Sequence, residues 1–375
     1  MAHTLAFYRE ILRGIKSFAE ERSDWILTPI APEKRAIGLA KSLRCDGYIG
    51  HLFNSPIAEA VLALGKPVVN VSGVLPGLPM PRVVVDHEEV GRMAARHLIE
   101  RGVRTFGFVG YPEHDFSLGR ERGLIEIAEA AGFTVSVFHD DVHRIQDPTG
   151  MWFWNRPLLQ WLTSLTKPVG LLTSHDTQGA QVSEYCRQLG FSVPDDVAIV
   201  GVDNDDLLCE MSRPSLSSVA LPAQRIGYEA ATLLDQRMRG QTPSTSVVVL
   251  PPVGLVVRQS SDLIAVADPD VSDAVRFIQE HAHQPIRVPD VLEAVPVARR
   301  SLERRFRKWL QRSISEEICR VHIERGRDLL MKTNLSMSAI AELSGFTDGR
   351  QLSIAFRRET GMTPSDYRRR FRLRP

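Results

Sequence analysis

What this chain lacks narrows what it can be. Its 375 residues hold four cysteines (Cys45, Cys186, Cys209 and Cys319), which are scattered, with no C-x-x-C pair and no histidine at metal-ligand spacing. That pattern excludes a disulfide scaffold and the common zinc motifs, so the expectation is four free, mostly buried thiols and no metal. No apolar run approaches the ~18 to 20 residues that a membrane helix requires. Met1–Ile11 carries Arg9 and Glu10 where a secretory leader would be apolar, which makes the expected location cytoplasmic, with no membrane partner. There is also no G-x-S-x-G elbow and no phosphate-binding glycine loop.

Net charge is nearly absent too, at +1 overall, but its distribution is uneven. From Val271 to Pro375 there are 21 Lys+Arg against 13 Asp+Glu, or +8, which leaves 25 against 32, or −7, for residues 1–270. An acidic body joined to a basic tail implies that only the tail meets a polyanion. The length exceeds what one core usually supports, so two or three domains are expected. A composition of 43% hydrophobic and 24% charged residues is that of a folded protein.

Residues 1–258 alternate apolar runs with amphipathic helices. The runs are Trp25–Ile30, Gly47–Gly50, Pro67–Val71, Arg82–Val85, Thr105–Gly110, Thr134–Phe138, Val169–Thr173 and Val197–Val202; Glu88–Arg101 and Gly119–Ala131 read as helices between them. Such alternation predicts right-handed β-α-β units with parallel sheets, here an α/β body of two lobes, the second beginning at Thr105. Ligands of open parallel sheets bind beyond the carboxyl ends of the strands. Three polar clusters fall there: Asp203-Asn204-Asp205-Asp206, Ser174-His175-Asp176, and Ser117 with Arg120-Glu121-Arg122. Carboxylates with an arginine suit a polyhydroxylated ligand, whose hydroxyls both donate and accept. The alternative for Asp176 and Asp203 is that each only caps a following helix, as Asp86 does. Trp152, Trp154 and Trp161 are either an aromatic wall for a sugar ring or core anchors.

The last third reads differently. After a polar stretch at 259–270, taken as a linker, residues 271–375 are helical throughout. Ser338–Leu343, a turn at Gly345-Phe346-Thr347 and Arg350–Arg358 form a helix-turn-helix pattern. About 50 residues upstream, Val288–Val295 and Ala298–Lys308 repeat it, with Leu302 and Phe306 matching Leu352 and Phe356. Glu316–Thr333 makes one long helix between the copies. With the Leu and Phe four apart on the buried face, Arg299, Arg300, Glu303, Arg304 and Arg307 point outward from the first recognition helix, and Gly349, Arg350, Gln351, Ile354 and Arg358 from the second. Arginine pairs with guanine, glutamine with adenine, glutamate with cytosine, and isoleucine touches a thymine methyl. Lys308, Arg357 and Arg368–Arg370 are expected on phosphates.

Two family resemblances follow from these residues. Val83-Val84-Val85-Asp86, His97–Gly102, Arg104–Gly110, Pro194–Asp203, Leu216–Val219 and Ile226–Ala231 resemble the LacI-type regulator domain, a two-lobed, periplasmic-binding-protein-like α/β fold that closes on an effector, usually a sugar or nucleobase. By position, this resemblance implies Arg122, Asp176 and Asp203 as effector contacts. It also implies a strand before Tyr8–Ile15 for which only Met1–Phe7 is available, so that the first strand reads as truncated. Phe346 and Phe356–Arg368 are similar to the C-terminal signature of AraC/XylS-type DNA-binding domains, whose two helix-turn-helix units read successive major-groove faces ~34 Å apart. The first unit departs from that pattern at Val295-Pro296-Val297-Ala298, where the resemblance implies Gly at the turn and Ser at the helix start.

The leading reading is a sugar-responsive activator of carbohydrate genes, for a pentose such as xylose, that binds double-stranded operator DNA as a homodimer with RNA polymerase as a further partner and no cofactor. Two others stay open: a constitutive DNA-binding protein whose α/β body only dimerises, and a sugar-modifying enzyme fused to a DNA-binding tail. Against the enzyme, consecutive Ser174-His175-Asp176 cannot converge on one point as a triad must.

Overall fold

The computed structural model describes residues 5–22, 24–30, 36–53, 55–75, 77–140, 155–241, 246–262, 268–310 and 312–371. The chain divides into two units, Met1–Ile99 with Arg104–Asp262, and Glu100–Val103 with Leu263–Pro375.

The first unit holds two sheets. One is four-stranded and parallel, in the order β1 (Tyr48–Gly50), β2 (Val68–Asn70), β3 (Arg82–Val85), β9 (Val247–Leu250). The other has six strands, β10 (Gly254–Val256), β8 (Ser217–Ala220), β7 (Val197–Asp203), β6 (Val169–Thr173), β4 (Phe106–Gly110) and β5 (Val135–His139), parallel except for β10, which runs antiparallel to β8. An antiparallel edge on a parallel sheet is common, because an edge strand needs no crossover helix beyond it. The central strands β4, β6 and β7 are buried along almost their whole length, as strands covered on both faces must be.

The helices supply those covers. In α1 (Leu5–Glu20), Ile11, Gly14, Ile15 and Phe18 recur at helical spacing on one buried face, and that face packs along α9 (Ala223–Met238). Helices α4 (His87–Glu100), α5 (Asp115–Ala130), α6 (Arg156–Ser164) and α7 (Asp176–Leu189) follow β3, β4, β5 and β6, while the short α2 (Ala36–Ser42), α3 (Ser55–Leu62) and α8 (Asp206–Met211) fill the remaining connections. The chain leaves the first lobe after α4, completes the second through β8, returns to place β9 beside β3, and crosses again to β10.

Two expectations need correction. Trp25–Ile30 is not a strand; Ile26 is 93% exposed, and the run joins no sheet. The linker is shorter than 259–270. Gln259–Ser261 form a 3-10 turn in which Ser260 and Ser261 are fully buried, with Ser260 Oγ donating to the Ile199 carbonyl (2.7 Å) and accepting from Ser217 N–H (2.9 Å). At the other end, α10 already starts at Pro269.

The second unit is all-helical: α10 (Pro269–Glu280), α11 (Val288–Ala294), α12 (Arg299–Leu310), α13 (Ile314–Lys332), α14 (Met337–Leu343), α15 (Gly349–Thr360) and α16 (Pro364–Phe371). It has two small cores. Leu302 and Phe306 of α12 anchor one and Leu352 and Phe356 of α15 the other, all four fully buried. Helix α13 serves both, giving Ile318 and Val321 to the first core and Ile323 and Leu330 to the second.

Candidate effector cleft and DNA-reading helices

The carboxyl ends of β4, β6 and β7 converge on a charged cluster. Asp176, at the start of α7, and Arg120, on the inner face of α5, are 2% and 3% exposed, and Asp203 ends β7. Arg120 lies over the Phe116 ring (5.0 Å), donates to the Ser174 carbonyl, and holds a guanidinium nitrogen 4.0 Å from Asp203. Burial pushes both carboxyls well above the usual range, and Asp176 raises Asp203 further by repulsion, while Arg120 pulls Asp203 back down. The same burial lowers the Arg120 guanidinium to about 10, opposed by the two acids. One positive charge thus faces two crowded carboxyls.

Rings surround the cluster. Tyr111 lies 3.1 Å from His175 through its hydroxyl, and His175 Nδ1 accepts from Gln178 N–H (3.2 Å). Because that nitrogen accepts, the ring hydrogen sits on Nε2 and points at Tyr111. His114 packs against both Tyr111 and Phe116. From the first lobe come His87, beside Phe116, and His51, which bonds to the Tyr8 hydroxyl (3.0 Å) and follows β1. Burial holds His51 down at about 4, and keeps His87 and His114 below their ordinary value. These imidazoles are therefore neutral. His87 Nδ1, His114 Nδ1, Arg120 Nε and Asn204 Oδ1 are buried with no hydrogen-bond partner among the described residues.

Arg122 is not in this cluster. Its side chain is 57% exposed and pairs with Glu88 at 3.0 Å, since two residues along a helix turn it ~200° away from Arg120. Phe116, Ser117, Arg120 and Leu124 share the inner face, and that spacing was the available signal for Arg120. Nothing local marked Tyr111, His114 or His51. Trp161 donates to Ser136 Oγ (2.9 Å) and packs on Phe138 within the core, so it is no wall of the cleft; Trp152 and Trp154 lie outside the described residues. Asp86 accepts from Glu89 N–H (2.8 Å) as a helix cap. Ser174 Oγ donates to Gln178 Oε1 (2.7 Å), so Ser174, His175 and Asp176 form no relay. Among the described residues, no group of three or more metal-ligating side chains could hold an ion, and no helix is long and apolar enough to cross a membrane.

On the second unit, α14 and α15 form a helix-turn-helix whose turn passes Gly345 at φ 78°, a conformation that suits glycine. Asp348 caps α15 by accepting from Arg350 and Gln351 N–H, both at 2.8 Å. Arg350, Gln351 and Ile354 are exposed along one face, Ile354 at 62%, and Gly349 is half-buried at the helix start. Arg358 is exposed but turns back, bonding to Glu359 (3.1 Å) and to Cys319 Sγ of α13 (3.4 Å). In α12, Arg300, Arg304 and Arg307 are exposed, while Arg299 pairs with Glu303 at 2.9 Å. Arg305 faces inward to Asp268 (3.0 Å) and Asp270 (2.5 Å). Arg368 also departs from its expected phosphate role: it donates to the Leu335 carbonyl (2.7 Å) and ties α16 to the turn before α14.

A two-lobed α/β body joined to paired helix-turn-helix units defines a ligand-sensing, DNA-binding regulator. Residues 95–261 match the periplasmic binding protein-like domain and residues 291–370 a helix-turn-helix domain. The xylose operon regulatory protein of Haemophilus influenzae is 30% identical over 87% of this chain and 85% of its own length. That of Escherichia coli K12 is 28% identical over 97% and 94%. A solved structure of the xylose-binding transcription activator XylR matches 99% of this chain and 96% of its own at a TM-score of 0.60 and 26% identity. The chain belongs to this family of regulators, in which a periplasmic-binding-like body precedes an AraC-type helix-turn-helix domain, and it is a DNA-binding transcription regulator. These relatives are regulators, not enzymes.

Proposed function

We propose that this regulator activates sugar-utilisation genes in response to a pentose held between its lobes by Arg120 and Asp203, with the rings of Tyr111, His114 and His51 around it. The observation that carries the reading is the set of buried polar atoms without partners (His87 Nδ1, His114 Nδ1, Arg120 Nε and Asn204 Oδ1) around a charged cluster. Buried polar groups are normally satisfied, and a hydroxylated ring supplies both donors and acceptors. The names of the relatives point to xylose among pentoses. Operator DNA is read by Arg299, Arg300, Glu303, Arg304 and Arg307 of the first unit and by Gly349, Arg350, Gln351, Ile354 and Arg358 of the second. The chain acts as a homodimer in the cytoplasm, and activation engages RNA polymerase. For the sugar to act as a switch it must favour one arrangement of the DNA readers by ~1 to 3 kcal/mol. Titration calorimetry with D-xylose, D-ribose, L-arabinose and D-glucose is expected to give saturable binding for a pentose; binding of none of them sinks the effector reading and favours a body that only dimerises.

A further inference from the structure

We infer that Asp176, although it lies in the cluster, is a positioning residue that holds the turn presenting Asp203 and does not itself bind the effector. Both of its oxygens are already engaged. Oδ1 accepts from Ser218 Oγ at 2.5 Å, and Oδ2 accepts from Asp205 N–H at 2.8 Å. The Ser218 hydroxyl, having given its hydrogen to Asp176, accepts in turn from Asn204 N–H at 3.0 Å. One acid and one hydroxyl therefore secure two successive backbone amides. The turn they secure is one that side chains rarely adopt: Asp203 stands at φ 112° and Asn204 at φ 53°. Such conformations persist where the surroundings over-determine them, and they gather at ligand sites.

The neighbouring residues fit this role. Asp205 continues from the secured turn as the N-cap of α8, its side chain accepting from Leu208 N–H at 3.2 Å, so one latch both aims Asp203 and starts the next helix. Beneath it, any side chain at Gly201 would run into the Asp176 carboxylate, and β7 leaves that space clear. Asp203 is engaged differently. Arg120, the cation paired with its carboxylate, stands 4.0 Å away, beyond hydrogen-bond length, while Asp176 and Asp205 repel it. A ligand hydroxyl can bridge such a gap, whereas Asp176, 2% exposed, already accepts from Ser218, the Asp205 amide and the Cys209 thiol.

This assignment rests on the effector reading of the cleft, and two measurements on the full chain keep the two apart. The first needs no ligand. Hydrogen exchange at the Asn204 and Asp205 amides is expected to speed up at least tenfold in Ser218→Ala and in Asp176→Asn, to stay slow in Asp203→Asn, and to return toward the parent value in Ser218→Thr. The second is calorimetry with D-xylose, D-ribose and their single-deoxy analogues. Ser218→Ala and Asp176→Asn are expected to weaken every sugar by a common factor of tenfold or more. Asp203→Asn should lose affinity selectively, with no further loss for the one analogue that lacks its hydroxyl partner. If no sugar binds, the effector reading fails while the exchange data still decide the latch. Unchanged protection at 204 and 205 in both latch variants, or a loss in Asp176→Asn confined to one ligand hydroxyl, overturns the inference; should Asp176→Asn not fold, Ser218→Ala carries both measurements.

Discussion

Arg120 and Arg122 differ by two positions and have opposite roles. Arg120 is buried over the Phe116 ring with its charge facing Asp203, so removing it strands buried carboxyls, a loss of the kind that typically costs 3 to 5 kcal/mol. Arg122 makes an exposed pair with Glu88, of the kind worth at most ~1 kcal/mol. Arg120→Met is therefore expected to weaken sugar binding by more than about 100-fold, and Arg122→Ala by less than about twofold, both read by calorimetry. The neutral histidines make a separate prediction. His51 sits at about 4 when folded against an ordinary 6.5, so its contribution to stability is complete above pH 6.5 and lost as the pH falls toward the folded value. The acid pair acts in the opposite sense. Its carboxyls are raised, and they contribute stability that is present below their ordinary 3.8 and lost as the pH rises through their folded values. Net stability mixes the two, and comparison with a variant isolates one. His51→Gln should gain in unfolding free energy relative to the parent as the pH drops from 7 to 5, by an amount on the order of 1 to 3 kcal/mol read by denaturant unfolding; a constant difference would show that His51 is not held neutral.

Elements were legible where periodicity and burial agreed. Strands β4, β6 and β7 are apolar runs buried on both faces, β3 alternates half-buried and buried positions, and α12 and α15 announce their buried sides through Leu and Phe four apart. The failures share a cause. Strand β8 is Ser-Ser-Val-Ala and fully buried, and Ser260 and Ser261 are equally buried beside it, because each buried hydroxyl finds a partner that composition does not reveal: a backbone carbonyl for Ser217 and Ser260, Asp176 for Ser218 and His97 for Ser261. Trp25–Ile30 failed in the other sense, being apolar without a sheet to join. The contrast between the two helix-turn-helix units was visible, since Asp348 caps α15 while Ala298 before α12 has no side-chain acceptor. Asp348→Ala is expected to destabilise the helical unit by about 1 kcal/mol, and Ala298→Ser to stabilise it by up to about 1 kcal/mol, both measured by denaturant unfolding. No gain from the serine would mean that α12 starts without need of a cap.

At the scale of the whole molecule, the charge asymmetry and the internal repeat made the division into an acidic α/β body and a basic helical tail readable before any coordinates. The cleft was less readable. Its lobe-two residues stand at strand ends, where topology directs attention, but His51 and Tyr8 reach it from elements 43 residues apart, and no local pattern predicts that meeting. In the proposed function the two halves are joined by the coupling of sugar to DNA, and such coupling is reciprocal: whatever the sugar does for DNA affinity, DNA must do for sugar affinity. The most direct test is operator-DNA affinity at fixed salt, with and without saturating D-xylose, for the parent chain and Arg120→Met. The account predicts a shift of about 5- to 150-fold in the parent and none in the variant, whose sugar-free affinity for DNA is unchanged. An identical DNA affinity with and without every pentose tried, or a shift that survives in Arg120→Met, would contradict it.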